Sequence, residues 1–190
     1  ADVTSTKTYD SVGNVISETD ANGNSIAYTY DSMNRVLTKT QGGDTYTYTY
    51  DFAGNLLTKS DETGTFSYEY DSQNRLSVTK DAENTVINKK VYDENGNVTG
   101  EIDGKGYESG LSDSGRYKTE YSYTMNNMLE TMKTPELENV SNKYSVRYRY
   151  DQFGRQKYVY DPDGNTTEYS YDKGGNLIGV TDAKGNVTSY

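Results

Sequence analysis

The 190 residues carry a net charge of −10, with 29 Asp and Glu against 19 Lys and Arg, and only 32% are of hydrophobic type. No basic stripe is available to replace the counterions on phosphates, which excludes nucleic acid and anionic lipid as partners, and no apolar run is long enough for insertion into a membrane. The absence of His and Cys removes disulfides and the usual general bases and nucleophilic pairs, while 21 Tyr argue against disorder and make aromatic rings the main source of buried area.

The first predicted element is a turn at Tyr9-Asp10-Ser11-Val12-Gly13-Asn14, followed by Val15. The same order, Tyr-Asp-x-x-(Gly/Asn)-(Asn/Arg)-aliphatic, recurs at Tyr30, Tyr50, Tyr70, Tyr92, Tyr123, Tyr150 and Tyr171, at spacings of 21, 20, 20, 22, 31, 27 and 21. Asp suits the first position because its carboxylate accepts hydrogen bonds from the following backbone N–H groups; Thr124 replaces it once. Three residues later only Gly and Asn occur, the two residues that most readily accept a left-handed backbone. A type I turn closed by a left-handed residue predicts a hairpin with a G1 bulge. On that reading the column has a purely conformational role, so Asn127→Gly should be neutral or stabilising.

The flanks predict strands. Tyr28-Thr29-Tyr30, Tyr46-Thr47-Tyr48-Thr49-Tyr50 and Tyr148-Arg149-Tyr150 alternate with period 2, placing Tyr on one face. After each turn an aliphatic column runs through Val15, Val36, Leu56, Leu76, Val98, Leu129 and Leu177, with Gln156 the exception. A second turn closes each unit, as at Asp20-Ala21-Asn22-Gly23, Asp61-Glu62-Thr63-Gly64, Asp161-Pro162-Asp163-Gly164 and Asp182-Ala183-Lys184-Gly185. No window shows a helical period. The expected fold is all-β: a single tandem array over residues 1–190, an antiparallel sheet of two-strand repeats of ~20 residues, elongated and twisted or curved. About 16 strands at normal spacing give roughly 75 Å of sheet. Two units are longer, with inserted loops near 103–117 and 134–143.

These motifs, above all Tyr50-Asp51-Phe52-Ala53-Gly54-Asn55-Leu56 and Tyr150-Asp151-Gln152-Phe153-Gly154-Arg155, resemble the YD-repeat (Rhs-type) family along essentially the whole chain. The family includes bacterial Rhs and wall-associated polymorphic toxins, components of insecticidal toxin complexes, and teneurins. The resemblance implies strand pairs that coil into a hollow β-shell, enclosing an effector in the toxins and forming an adhesion ectodomain in the teneurins. It implies a segment of a longer extracellular or cell-surface protein, with the adjacent repeats of that protein and an encapsulated passenger domain as partners. Asp161-Pro162-Asp163-Gly164 is superficially similar to the self-cleavage sequence of the toxin members, but it occupies an ordinary second turn, where Pro and Gly are favoured.

No residue is assigned a catalytic, cofactor-binding or metal-binding role. The recurrent Asp residues are explained by turn capping rather than by paired carboxylates, so no enzyme is expected. Asp20-Ala21-Asn22-Gly23-Asn24 begins like an EF-hand loop, but Gly falls at the fourth position rather than the sixth. The expected role is a non-catalytic scaffold. The alternative is a surface module that binds carbohydrate or protein through the Tyr-rich face or the paired long loops, with cell-surface glycan as ligand. Both insertions fall at the second turn and should project from one edge as neighbours. The exposed edge strands of such a strip also suggest self-association.

Overall fold

A computed structural model describes residues 5–108, 110, 117–135 and 145–190. Seventeen strands and one short helix are present among them, so the expected all-β, antiparallel class holds. The chain divides into two compact units, Ala1–Ile87 and Asn88–Tyr190.

The first unit contains β1 (Thr6–Tyr9), β2 (Val15–Thr19), β3 (Ser25–Tyr30), β4 (Val36–Gln41), β5 (Asp44–Tyr50), β6 (Leu56–Asp61), β7 (Gly64–Tyr70) and β8 (Leu76–Lys80). Each strand pairs antiparallel with the next in chain order. The second unit begins within β9 (Val86–Tyr92) and continues through β10 (Val98–Asp103), α1 (Gly104–Glu108), β11 (Lys118–Tyr123), β12 (Leu129–Lys133), β13 (Val146–Tyr150), β14 (Gln156–Tyr160), β15 (Thr166–Tyr171), β16 (Leu177–Thr181) and β17 (Val187–Ser189). Its strands also pair in chain order.

The predicted bulge is found at the Tyr-Asp turns. Thr49 faces Thr58 but Tyr50 faces Leu56, so the register slips by one residue where the turn begins. The left-handed column has φ of 96° at Gly13, 95° at Gly54 and 90° at Gly175, and 61°, 59° and 59° at Asn34, Asn74 and Asn127. The second turns are not all alike. Those at Asp20, Asp81, Asp161 and Asp182 repeat the bonding of the Tyr-Asp turn, each ending in a left-handed Gly or Asn. The β4–β5 connection is instead a two-residue loop, Gly42-Gly43 with φ of 64° and 100°, the type I′ geometry that matches strand twist.

The two faces of the first unit differ. One carries a cross-strand row of hydroxyls, Thr29, Thr38, Thr47, Ser60 and Thr65, with Thr29–Thr38 bonded at 2.7 Å and Ser60–Thr65 at 2.8 Å. The other carries the rows Tyr28–Lys39–Tyr46 and Tyr48–Lys59–Phe66. Burial is shallow throughout: among the described residues only Val78, Val86 and Ile102 are buried hydrophobics. The buried area comes mainly from half-buried side chains, Tyr rings among them.

The helix is a departure from the sequence reading. Asp103 accepts a hydrogen bond from the backbone N–H of Gly106 at 2.8 Å, capping a five-residue turn that no periodicity announces. Ile102, 1% exposed, and Tyr117 close over it, and a Cβ on Gly106 would lie 2.3 Å from that of Tyr117. The first insertion is closed at its base by the Asp103 N–H bonding the Tyr117 carbonyl at 3.1 Å, the second by the Thr134 N–H bonding the Ser145 hydroxyl at 3.0 Å. The outer parts of both insertions, and hence the expectation that they are neighbours, lie outside the described residues.

The Gly54 position has open space around an added Cβ, with nothing within 4 Å, so a substitution there tests backbone strain alone. Gly54→Val is expected to destabilise by about 1–3 kcal/mol, because a β-branched residue is disfavoured at positive φ. Denaturant melts of the two proteins would show it, and an unchanged midpoint would contradict the turn assignment.

Candidate functional site

Each Tyr-Asp turn is built by one carboxylate. The Asp31 backbone N–H donates to the Arg35 carbonyl at 2.9 Å, and the Asn34 N–H donates back to the Asp31 carbonyl at 3.0 Å. Asp31 Oδ1 accepts the N–H groups of Met33 and Arg35 at 2.8 and 2.9 Å, while Oδ2 takes the Arg35 Nε–H at 2.7 Å. Where the sixth residue is Asn the same oxygen takes its amide, as with Asn14 and Asn55. Both oxygens of such a carboxylate are engaged as acceptors.

The motif tyrosine then joins one hairpin to the one before it. Because the bulge splays the strands, the ladder between β4 and β5 ends at Thr38–Thr47, two residues short of Val36. The Tyr50 hydroxyl donates to the Val36 carbonyl at 2.9 Å and continues the pairing beyond the ladder. Tyr30, Tyr70, Tyr123, Tyr150 and Tyr171 do the same to Val15, Leu56, Val98, Leu129 and Gln156, at 2.7–2.9 Å. The acceptor is backbone, which is why Gln156 serves in an otherwise aliphatic column.

The sixth residue also reaches the next turn. Asn14, Asn55 and Asn97 donate to the side-chain carbonyls of Asn34, Asn74 and Asn127 at 2.9, 3.0 and 2.9 Å. Arg35 donates through Nη1 to the Asp51 carbonyl at 2.7 Å and lies 4.7 Å over the Tyr50 ring; Arg155 donates to the Asp172 carbonyl at 3.3 Å and lies 4.6 Å over Tyr171. The expectation that the left-handed column is only conformational is therefore corrected, since its Asn members also accept a bond from the preceding turn. The offset of 20 or so residues between bonded amides could have signalled it in the sequence.

These contacts set the titration behaviour. The Asn55 side-chain amide, then the Asn55 and Ala53 N–H groups, hold the Asp51 carboxyl below the usual value against the opposing effect of burial. Asn24, Asn97, Asn165, Asn176 and Asn186 act in the same way on Asp20, Asp93, Asp161, Asp172 and Asp182. Burial pushes the hydroxyls of Tyr30, Tyr50, Tyr70, Tyr123 and Tyr150 upward, consistent with protonated donors.

No group of three or more His, Cys, Asp or Glu able to hold a metal is found among the described residues. Asp161-Pro162-Asp163-Gly164 is an ordinary capped turn: Asp161 Oδ1 accepts the Asp163 and Asn165 N–H groups at 2.9 and 2.8 Å. The Tyr face is not a bare stacking platform, because cations already cover several rings. Lys39 and Lys59 lie 5.8 and 5.6 Å from the Tyr46 centroid, and Arg147 lies 4.4 Å from that of Tyr160. An open concavity of about 650 Å³ lies between two successive turns, lined by Phe153, Arg155, Tyr171, Asp172 and Lys173. Its one carboxylate, Asp172, is the capping one.

A family model described as RHS Repeat matches residues 9–45, 50–86 and 156–187, together more than half of the chain. No curated protein matches it. Among solved structures, the Tc holotoxin pore of Photorhabdus luminescens, with a TccC3 point mutant, superposes over 93% of this chain at 16% identity and a TM-score of 0.61. TcdB2-TccC3 without its hypervariable C-terminal region does so over 93% at 15% identity and a TM-score of 0.62. This chain spans only 12% of the length of either, and the likeness is one of fold.

Two outcomes follow from the turn chemistry. Tyr50→Phe leaves the Val36 carbonyl without its donor and is expected to cost about 0.5–1.5 kcal/mol, whereas Tyr48→Phe, whose hydroxyl has no partner among the described residues, should be near neutral in the same denaturant melts. For acid, the folded carboxyl values lie below the unfolded one, so their contribution is complete above about pH 4 and is lost as pH falls through the folded values. Melting temperature should therefore fall steeply below pH 4, and a flat acid profile would mean the turns are not held by their carboxylates.

Proposed function

The chain belongs to the RHS repeat family, and from that membership we propose that it is a stretch of non-catalytic wall, part of a β-structure that encloses or displays another domain. The observation that carries this reading is the unit-to-unit linkage. The tyrosine bonds each join a hairpin to the one before it, so the assembly extends by adding units, which suits a wall better than a self-contained site. The aspartates that could have done acid–base work are occupied as turn caps, which supports a role without chemistry. An extracellular or cell-surface setting, as in a secreted bacterial toxin, goes with this reading.

An enclosing wall has an inner and an outer face, and that distinction can be measured. The chain has no Cys, so single Thr47→Cys and Lys59→Cys variants place a reactive thiol on opposite faces of the first unit. With the chain embedded in the polypeptide that carries it, a bulky maleimide should label one position readily and the other only after unfolding. Equal labelling of both would overturn enclosure and leave display on an open sheet.

A further inference from the structure

The linkage between successive turns follows a rule that turn chemistry does not require. At three junctions the sixth residue of one turn bonds the left-handed residue of the next, and at two it crosses to the carbonyl of the next Asp. Where the sixth residue is the short amide, the next left-handed residue is Asn: Asn14 meets Asn34, Asn55 meets Asn74, and Asn97 meets Asn127. Each of these amides divides its two N–H groups between its own Asp and the facing Asn. Where the sixth residue is long, the next left-handed residue is Gly. Arg35 precedes Gly54 and Arg155 precedes Gly175, each guanidinium crossing to the carbonyl of the next Asp. Met128 precedes Gly154 and its Sδ stands 3.4 Å from where a Cβ would be, as Arg155 Nη1 stands 3.8 Å from that point on Gly175. In the sequence Arg75 is likewise followed by Gly96, so all seven junctions comply.

We propose that these two positions form a recognition code that decides which Tyr-Asp hairpin stacks on which. The physical basis is complementarity of size and valence. A short amide facing Gly loses the side-chain acceptor it has on Asn, and at Gly154 and Gly175 the preceding long side chain already lies where an Asn side chain would begin.

The test is a double-mutant cycle in the full chain, with Asn14→Arg, Asn34→Gly and both together. The two matched combinations should melt, on average, roughly 2–4 °C above the two mismatched ones, whatever the intrinsic effect of Gly at that position. Additive effects would overturn the code. A second measurement adds a junction. Tyr190 falls in register with Tyr28, so a copy of residues 29–41 appended after Tyr190 places a further turn beside Asn176. The appended copy should raise the melting temperature more when its counterpart of Asn34 is Asn than when it is Gly, and Asn176→Arg should reverse that order. A gain indifferent to residue 176 would refute the code.

Discussion

A tyrosine hydroxyl bonded to a backbone carbonyl of the preceding unit does here what a second layer does in a sandwich. The bulge that follows from a left-handed residue in each turn shortens the ladder between hairpins, so that between β4 and β5 it stops at Thr38–Thr47. Val36 and its equivalents would otherwise present a carbonyl to a splayed gap. Tyrosine fits the task because one side chain supplies both a large apolar surface and a donor at its far end. Phenylalanine would cover the same area and leave the carbonyl unpaired. That double requirement accounts for Tyr at the motif positions Tyr30, Tyr50, Tyr70, Tyr123, Tyr150 and Tyr171.

The charge balance acquires a local meaning from the same geometry. The aspartates that make the chain acidic are folded back on their own turns, each accepting two or more bonds, so much of the negative charge caps backbone rather than facing a ligand. The cations divide between turn crossings and ring covering. Arg35 and Arg155 do both at once, while Lys39 and Lys59 lie over Tyr46 from the two flanking strands. Exposed pairs such as Lys7–Glu18, at 3.3 Å, add little by comparison, since both partners remain solvated. A face with cations seated on its rings is a poor platform for stacking sugars, which shifts interest from the Tyr face to the turns.

The parts of this fold that were legible in the sequence are those decided within a few residues. Asp at the head of a turn and Gly or Asn three residues later fix the turn and its bulge by local sterics, and period-2 alternation fixes which side chains share a face. What stayed hidden depends on contacts about 20 residues away. The aliphatic column looked like a packing feature, yet its most constant contribution is a carbonyl, to which side-chain identity is blind; Gln156 is the residue that reveals this. The Asn–Asn links looked like tolerated variation between two left-handed residues. The helix at Gly104–Glu108 is too short to show a period and depends on Asp103 as its cap and on the close approach of Tyr117.

Two of those features together change what counts as the repeating unit. In the first part of the chain the turns alternate between Gly-Asn, at Gly13-Asn14 and Gly54-Asn55, and Asn-Arg, at Asn34-Arg35 and Asn74-Arg75. Each of the first two matched stretches, 9–45 and 50–86, contains one turn of each kind. The structural period is therefore a pair of hairpins rather than one, with a short amide bridge inside the pair and an arginine crossing between pairs. The alternation is lost later, where Gly154-Arg155 is followed by Gly175-Asn176, yet the junction between them still joins a long side chain to a Gly. Register of kind is thus set junction by junction, not by a count along the chain. A repeat array built this way can change its sequence of turn types without a break, because each turn needs only to match the one before it.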